Sequence, residues 1–528
     1  MKHIMTWLAV PLLVAGCTTP GAGEEPSSTC PDASSCPCQP NQTDLPDDAF
    51  QDSNCDGVDG TASAALFVDP TAGQDINNGT REAPLKTLSY AMQRAATQGK
   101  ALYLAQGIYD EPALVLDKPV SLYGGYSGVD GGWARGNYTT HIRGGGVGLT
   151  VSGLGKDAGV TLERMRITSA LATDAGTPSI GVRVMYSDGV RLRYVEVLAG
   201  AGAPGSPGVP GSSPSANSQA GQDGGMGTNT VPQSPADGGL PGLGDGCGSG
   251  SGGMGGQGGT FASNASQGQP STGILSVRGG DAGQNTSDTS CPNGVCQSTG
   301  NPGGDGQNGI EGDAGTDGEP GNGVGLLAGD TWVALTSGNG GPGAPGGGGG
   351  GGGGGGNCFR PTSAAPNAAG SGGGGGGAGG CPGQGAAGGS GGGASIAVLL
   401  LNGHVELESC ILKTVGGGNG GNGGTGGPGS PGGRGGMGGA PLKATQSGET
   451  CIGGTGGAGG NGGTGGRGGH GGNGGGGPSI GVWCDPTSSF AQRDTVFDLG
   501  PGGKPGNGPA PVGETGLRGE SYQCPPSP

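Results

Sequence analysis

The chain is poor in the residues that build ordinary globular cores and ordinary polyanion sites. Aromatic residues make up only 4 % of its 528 positions. Basic residues number 23 against 40 acidic ones, for a formal charge of −17. Phosphate recognition needs clustered Lys and Arg, so nucleic acid is excluded as a partner. No P-loop, Ser-His-Asp order, metalloprotease helix or dinucleotide fingerprint is present. Short GxGxxG matches inside the glycine tracts join no strand to a helix and carry no weight. The first apolar run, 4–14, is too short to span a bilayer as a helix.

Glycine is what the chain has instead, at 141 of 528 positions. Gly-rich backbone loses the most entropy on ordering, so such segments need dense hydrogen bonding or stay mobile.

Between the glycine tracts a short pattern recurs. Val190, Leu192, Val195 and Val197 share their spacing with Val160, Leu162, Met165 and Ile167, and with Val405, Leu407, Cys410 and Leu412. A degraded copy is Phe490, Gln492, Thr495 and Phe497. Each copy follows an apolar stretch about ten residues upstream, beginning at Gly148, Ile180, Ile396 and Ile480. Two alternating stretches joined by a corner that resets the alternation describe one rung of a strand solenoid. Arg164 falls at such a corner, while Arg191 and Arg193 alternate outward.

Ahead of these copies, Leu66–Val68 reads as a strand and Pro84 as the opening of a helix over 85–97 that ends at Gly99. The series from Leu66 to Glu111 resembles the N-terminal segment of pectate-lyase-like right-handed parallel β-helix proteins. That resemblance implies an all-β fold, a right-handed parallel β-helix (solenoid) with an N-terminal capping helix that closes its open end.

Long insertions follow Val197, Leu412 and Phe497, and so leave from one corner of the solenoid. Residues 416–440 and 453–473 run almost strictly as Gly-Gly-x, with third positions that include Arg434, Met437, Arg467 and His470. With three residues per turn, these side chains would form one ridge and leave two bare glycine edges. The pattern resembles the polyglycine-II-like bundles of some antifreeze proteins and phage-tail adhesins; a disordered linker is the competing reading. Scattered stretches such as 202–211 fit collagen instead. Residues 324–335 are expected to embed a further rung within the long interval 199–394.

The start of the chain reads as targeting. Val14-Ala15-Gly16-Cys17 resembles the lipobox of bacterial lipoproteins, which implies cleavage before Cys17 and lipidation of its sulfur. Thr18 resembles the pattern sorted to the outer membrane, so the expected location is the cell envelope, with the membrane as partner through the lipid. Removing Cys17 leaves 14 − 1 = 13 cysteines in an oxidising setting, so at least one stays free or bonds another chain. Cys30, Cys36, Cys38 and Cys55 fit no common zinc spacing, and disulfides are favoured there.

Asp52, Asn54, Asp56 and Gly57 match the first half of a calcium loop, with Asp59 close by. Ser63 stands where the bidentate Glu would be, and an Asx-turn linker accounts for the same residues. Calcium is therefore the one cofactor the sequence suggests, with Asp52, Asn54, Asp56 and Asp59 as its candidate ligands.

The expected organisation is a signal peptide at 1–16, a tether at 17–64, and cap plus first rungs at 65–198. A glycine insertion at 199–394, a rung at 395–413, a second insertion at 414–478 and a last rung with tail at 479–528 complete it. The expected function is a non-enzymatic surface lipoprotein with a structural, adhesive or ligand-binding role toward a cell-surface or extracellular polymer. A polysaccharide-active enzyme is one alternative; Asp188, Arg191 and Arg193 are its candidate residues, although alternating charge on a strand reads first as a solvated face. An ice- or surface-binding module is the other, and Arg434, Met437, Arg467 and His470 break the regularity it needs. His404 and His470 are expected to be exposed rather than ligands.

Overall fold

The computed structural model describes residues 38–40, 42–155, 159–215, 218–229, 233–244, 246–287, 297–359 and 367–525. It divides into Met1–Thr61 and Ala62–Pro528. Cys17, Cys30, Cys36, Cys291 and Cys296 lie outside the described residues.

The larger unit is mostly parallel sheet. Seven strands form sheet 1, in the order Ala65–Val68, Ala101–Ala105, Leu122–Tyr126, Val160–Glu163, Val190–Arg193, His404–Glu408 and Ser489–Arg493. Sheet 2 runs Gly107–Asp110, Thr140–Arg143, Arg166–Thr168, Glu196–Ala199, Ile411–Thr414 and Val496–Leu499. Sheet 3 runs Val115–Leu116, Val147–Gly155, Ser179–Ser187, Ser395–Leu401, Ser479–Cys484 and Arg518–Tyr522.

The repeated apolar positions coincide in register. Val190 pairs with Val160 and Val405, and Val405 with Phe490. Val197 pairs with Ile167 and Leu412, and Leu412 with Phe497. All but the two phenylalanines are buried in one continuous core; these are partly buried against it. The corner between sheets 1 and 2 has one cause in all four copies: Arg164, Tyr194, Ser409 and Asp494 are left-handed, with φ of 50–53°. One such residue flips the alternation, so Met165, Val195 and Cys410 turn inward.

Helix α1, Leu88–Gln98, buries Leu88, Ala91, Met92 and Ala95. It starts three residues later than the sequence pattern places it. Leu85 instead bridges Val68, Thr87 is extended, and Asp75 accepts the Lys86 and Thr87 N–H groups at 2.9 Å each. Glu111 Oε1 accepts the Leu88 N–H at 2.7 Å and so caps the helix. Gly99 ends it with φ 63°.

The expected rung at 324–335 is a different structure. Leu326–Ala328 and Thr331–Val333 form an antiparallel hairpin outside the three sheets. It places Trp332 against Trp483, with ring centroids 6.4 Å apart, over the outer face of sheet 3. That cover explains why the strand is apolar at consecutive positions from Ile396 to Leu401: all seven of its residues are buried, because both faces of the strand are covered.

The glycine segments are ordered by backbone hydrogen bonds that repeat every third residue. Gly459, Gly462, Gly465, Gly468 and Gly471 donate to Gly436, Gly433, Ser430, Gly427 and Gly424 in antiparallel order. Gly303, Gly306 and Gly309 donate to Thr455, Ala458 and Asn461 in parallel order. Glycine content follows position in the bundle. Residues 346–356 and 371–377, almost pure glycine, are wholly buried. Gly-Gly-x segments lie on faces, and Gly-x-y segments such as 303–320 lie at edges with both side chains outward. A Cβ added at Gly376 would lie 1.9 Å from the Gly349 carbonyl oxygen. The collagen-like stretches are therefore edges of this bundle.

Candidate functional site

Two surfaces carry the side chains singled out by the sequence. The first is the outward face of sheet 1. Register sets Glu163, Arg193, Glu408 and Arg493 in one cross-strand row of alternating sign. Arg193 Nη1 lies 3.0 Å from Glu163 Oε2 and its Nε 3.2 Å from Glu408 Oε2; Arg493 pairs with Glu408. In the next row Arg191 meets Glu406 at 2.7 Å. Arg191, Arg193, Glu406, Glu408 and Arg493 line a groove of about 510 Å³. Asp188 is not among its lining residues. These carboxylates are held by arginines, which favours the structural use of Arg191 and Arg193 over proton transfer.

Beneath this row lies a charge pair that the sequence did not reveal. Arg135 Nη2 donates to Glu163 Oε1 at 2.7 Å, with both side chains almost fully buried. Arg135 also lies 5.4 Å from the Tyr126 ring centroid. Its signal was weak because Arg135 sits in a loop between strands.

The second surface is the glycine bundle. Asn419, Asn422, Thr425, Pro428, Pro431, Arg434, Met437 and Ala440 are all exposed, as one ridge. Thr455 and Ala458 are half-exposed, Asn461, Thr464 and Arg467 are exposed, and Asn473 is buried. Asn and Asp have a specific task here, because an x-residue N–H at the surface lacks a lattice partner. Asp305 accepts the Ala458 N–H at 2.8 Å, Asn308 that of Asn461 at 2.9 Å, and Asp317 that of His470 at 2.7 Å. His470 is half-buried and its Nδ1 accepts the Gly426 N–H at 3.1 Å; His404 is half-buried against Ser489 at 2.9 Å. Both histidines, expected to be exposed rather than ligands, are thus partly exposed, each with a hydrogen-bond partner within the chain.

Where the insertions join the sheets, hydroxyls bridge the gap. Thr414 and Ser479 lie 2.7 Å apart, Ser169 and Ser179 2.8 Å, and Ser395 donates to the Gly200 carbonyl at 2.7 Å. Disulfides Cys247–Cys381 and Cys358–Cys451 staple the bundle, and Cys484–Cys524 the last strands. Cys410 is free and buried in the core, and burial pushes its thiol up to about 11.

In the smaller unit, Cys38 and Cys55 form a disulfide rather than zinc ligands. Asp52 accepts the Asp56 and Gly57 N–H groups at 3.1 and 2.8 Å. Asn54 accepts that of Asp56 at 3.0 Å, Asp56 that of Val58 at 3.2 Å, and Asp59 that of Asp47 at 3.1 Å. Asp52, Asn54 and Asp56 thus accept N–H groups of their own turn, and Asp59 that of a residue outside it. Among the described residues no group of three His, Cys, Asp or Glu side chains is placed to hold a metal ion. Within the same residues no helix is long and apolar enough to cross a membrane. Comparison with protein-family models, curated proteins and solved structures finds no match for this chain.

Proposed function

We propose that this chain is a non-enzymatic lipoprotein of the cell envelope, anchored through Cys17, with a structural or adhesive role. A right-handed parallel β-helix forms its frame, and a polyglycine-II-like slab forms its contact surface. The frame reading is supported by strand order: counting only the strands of the three large sheets, from Ala101–Ala105 onward they enter sheets 1, 2 and 3 in rotation, all parallel. The slab reading is supported by the three-residue bonding period, which matches a three-residue backbone turn.

One observation carries the function: every third-position side chain from Asn419 to Ala440 is exposed, while in each triplet the residue just before it donates its N–H into the lattice. Such a surface can change its ligand by changing x residues without disturbing its fold. The partner is an extended polymer of the cell surface or matrix, matched to a flat, periodic face.

The test is a full-length variant carrying Thr425→Ala, Arg434→Ala, Met437→Ala and Arg467→Ala. Its melting temperature should match the parent, while co-sedimentation with insoluble cell-wall and exopolymer fractions falls several-fold. Unchanged sedimentation would overturn the adhesive reading. A measured shortening of the polymer by the parent chain would replace it with the enzymatic one.

A further inference from the structure

The slab contains two comparable troughs, each between a pair of segments that bond the central segment 369–393. The first lies between 416–440 and 454–478, and the chain fills it with its own residues 500–508. Gly417 and Gly420 donate to the Pro501 and Lys504 carbonyls at 3.0 and 2.8 Å, while Gly503 and Gly506 donate to Gly477 and Gly474 at 2.8 and 2.9 Å. Asn419 and Asn422 accept the Lys504 and Asn507 N–H groups at 2.9 and 2.7 Å. The occupant is a Gly/Pro-rich strand, GPGGKPGNG.

The second trough lies between 236–243 and 252–259. These segments bond to each other through Gly252 to Gly242 and Gly255 to Gly239, both at 2.9 Å. Both also reach the central segment, through Gly239 to Gly373 and Gly373 to Gly256 at 2.8 Å. This trough is open, with a volume of about 730 Å³. Gly238, Gly239 and Gly255 form its floor, and Gln222, Asp237, Leu240, Met254, Gln257 and Gln269 its walls. Among the described residues, the Gly238, Leu240 and Met254 N–H groups and the Gly238 and Gly255 carbonyls have no partner.

We propose that this open trough binds an extended glycine- and proline-rich peptide strand supplied by another protein chain. The inference rests on the reading of the slab as the contact surface, and names a partner for one part of it. The chemistry follows from the filled trough. A glycine floor admits another backbone to bonding distance, where any Cβ would block it. The free Gly238 N–H and Gly255 carbonyl stand where the Gly420 N–H and the Gly474 carbonyl bond residues 500–508 in the filled trough, and an extended partner strand of this kind repeats every three residues, about 9.3 Å. Proline pre-sets the extended conformation and lowers the entropy lost on docking. Amides of Gln222, Gln257 and Gln269 can both donate and accept, so they suit a peptide edge in either direction. Asp237 favours a neutral or basic strand, as Lys504 is in the filled trough.

The experiment uses the full chain and a labelled synthetic peptide with the sequence of residues 500–509, read by fluorescence anisotropy. Saturable binding is expected, and a version with every Gly replaced by Ala should not bind. Met254→Pro removes one docking donor at a third position, the kind of site where Pro428 and Pro431 already stand in the same lattice. It should weaken binding about fivefold with an unchanged melt. Gln257→Trp, which fills the trough from an exposed position, should abolish binding. No saturable peptide binding, binding by both variants as tight as the parent's, or displacement of the peptide by neutral dextran would overturn the proposal. Because these substitutions lie outside 416–473, their failure leaves the polymer-adhesion result standing, and the reverse also holds.

Discussion

The Arg135 guanidinium donates to the Glu163 carboxylate at 2.7 Å, at 0 % and 1 % side-chain exposure, and Glu163 turns its other oxygen to Arg193 at 3.0 Å. One buried carboxylate thus joins a loop arginine to the charged row on sheet 1. Glu163→Gln keeps the shape but leaves Arg135 buried without its counter-charge. The expected loss is about 3–5 kcal/mol, read by urea denaturation followed by circular dichroism. Glu406→Gln, at an exposed pair, should cost less than about 1 kcal/mol.

Glycine tolerance should follow position in the bundle rather than local sequence. Gly376→Ala drives a Cβ to 1.9 Å from the Gly349 carbonyl and should break the lattice there. Met437→Ala, at 68 % exposure, should be neutral to within about 0.5 kcal/mol. Limited proteolysis distinguishes them: new cleavage within the glycine segments is expected only for Gly376→Ala.

The staples should matter because each closes a long loop, whose closure entropy grows only with the logarithm of its length. Cys358 and Cys451 are 93 residues apart. Replacing both with Ser should lower stability by about 2–5 kcal/mol, measured as a shift in the denaturation midpoint.

Cys410 should be inert in the folded chain. With its thiol at about 11 and buried, a thiol reagent at pH 8 should label it only after denaturation, at the rate of global unfolding. Fast labelling of native protein would contradict the core position.

Acid should destabilise the chain through two turn carboxylates. Burial works to raise Asp75, but hydrogen bonds from the Thr87 and Lys86 N–H groups and the Thr87 hydroxyl outweigh it and hold it low. Burial is likewise outweighed at Asp485 by the Ser488 hydroxyl, the Asn402 N–H and Thr487. A folded pKa below the unfolded one contributes stability in full above the unfolded value, near 3.8, and loses it as pH falls through the folded value. The melting temperature should therefore drop below about pH 4, and Asp75→Asn with Asp485→Asn should flatten that drop.

The period of the strands was legible because burial acts on alternate side chains: Val160, Val190 and Val405 had to share a face, and they share a register. The start of α1 was not legible, because Leu85 fits a helical face as well as a bridge, and Asp75, distant in sequence, decides for the bridge. Residues 324–335 were misread for a related reason. Two short apolar strands look alike whether they join a parallel sheet or fold on each other over it, and only Trp332 meeting Trp483 separates the cases. The glycine bundle had a readable signal that lay in the count per triplet: three glycines at the centre, two on a face and one at an edge.

By itself, then, the sequence determined which residues alternate, where the chain leaves the strands, and how many sides of each glycine turn must admit another backbone. These are local steric and burial requirements, and they act residue by residue. The tertiary structure decided which segments meet: which strand covers the outer face of sheet 3, which carboxylate buries Arg135, and which trough residues 500–508 fill. Partners in a lattice are chemically interchangeable glycines, so pairing comes from the register of the sheets and the disulfides that hold the segments against one another.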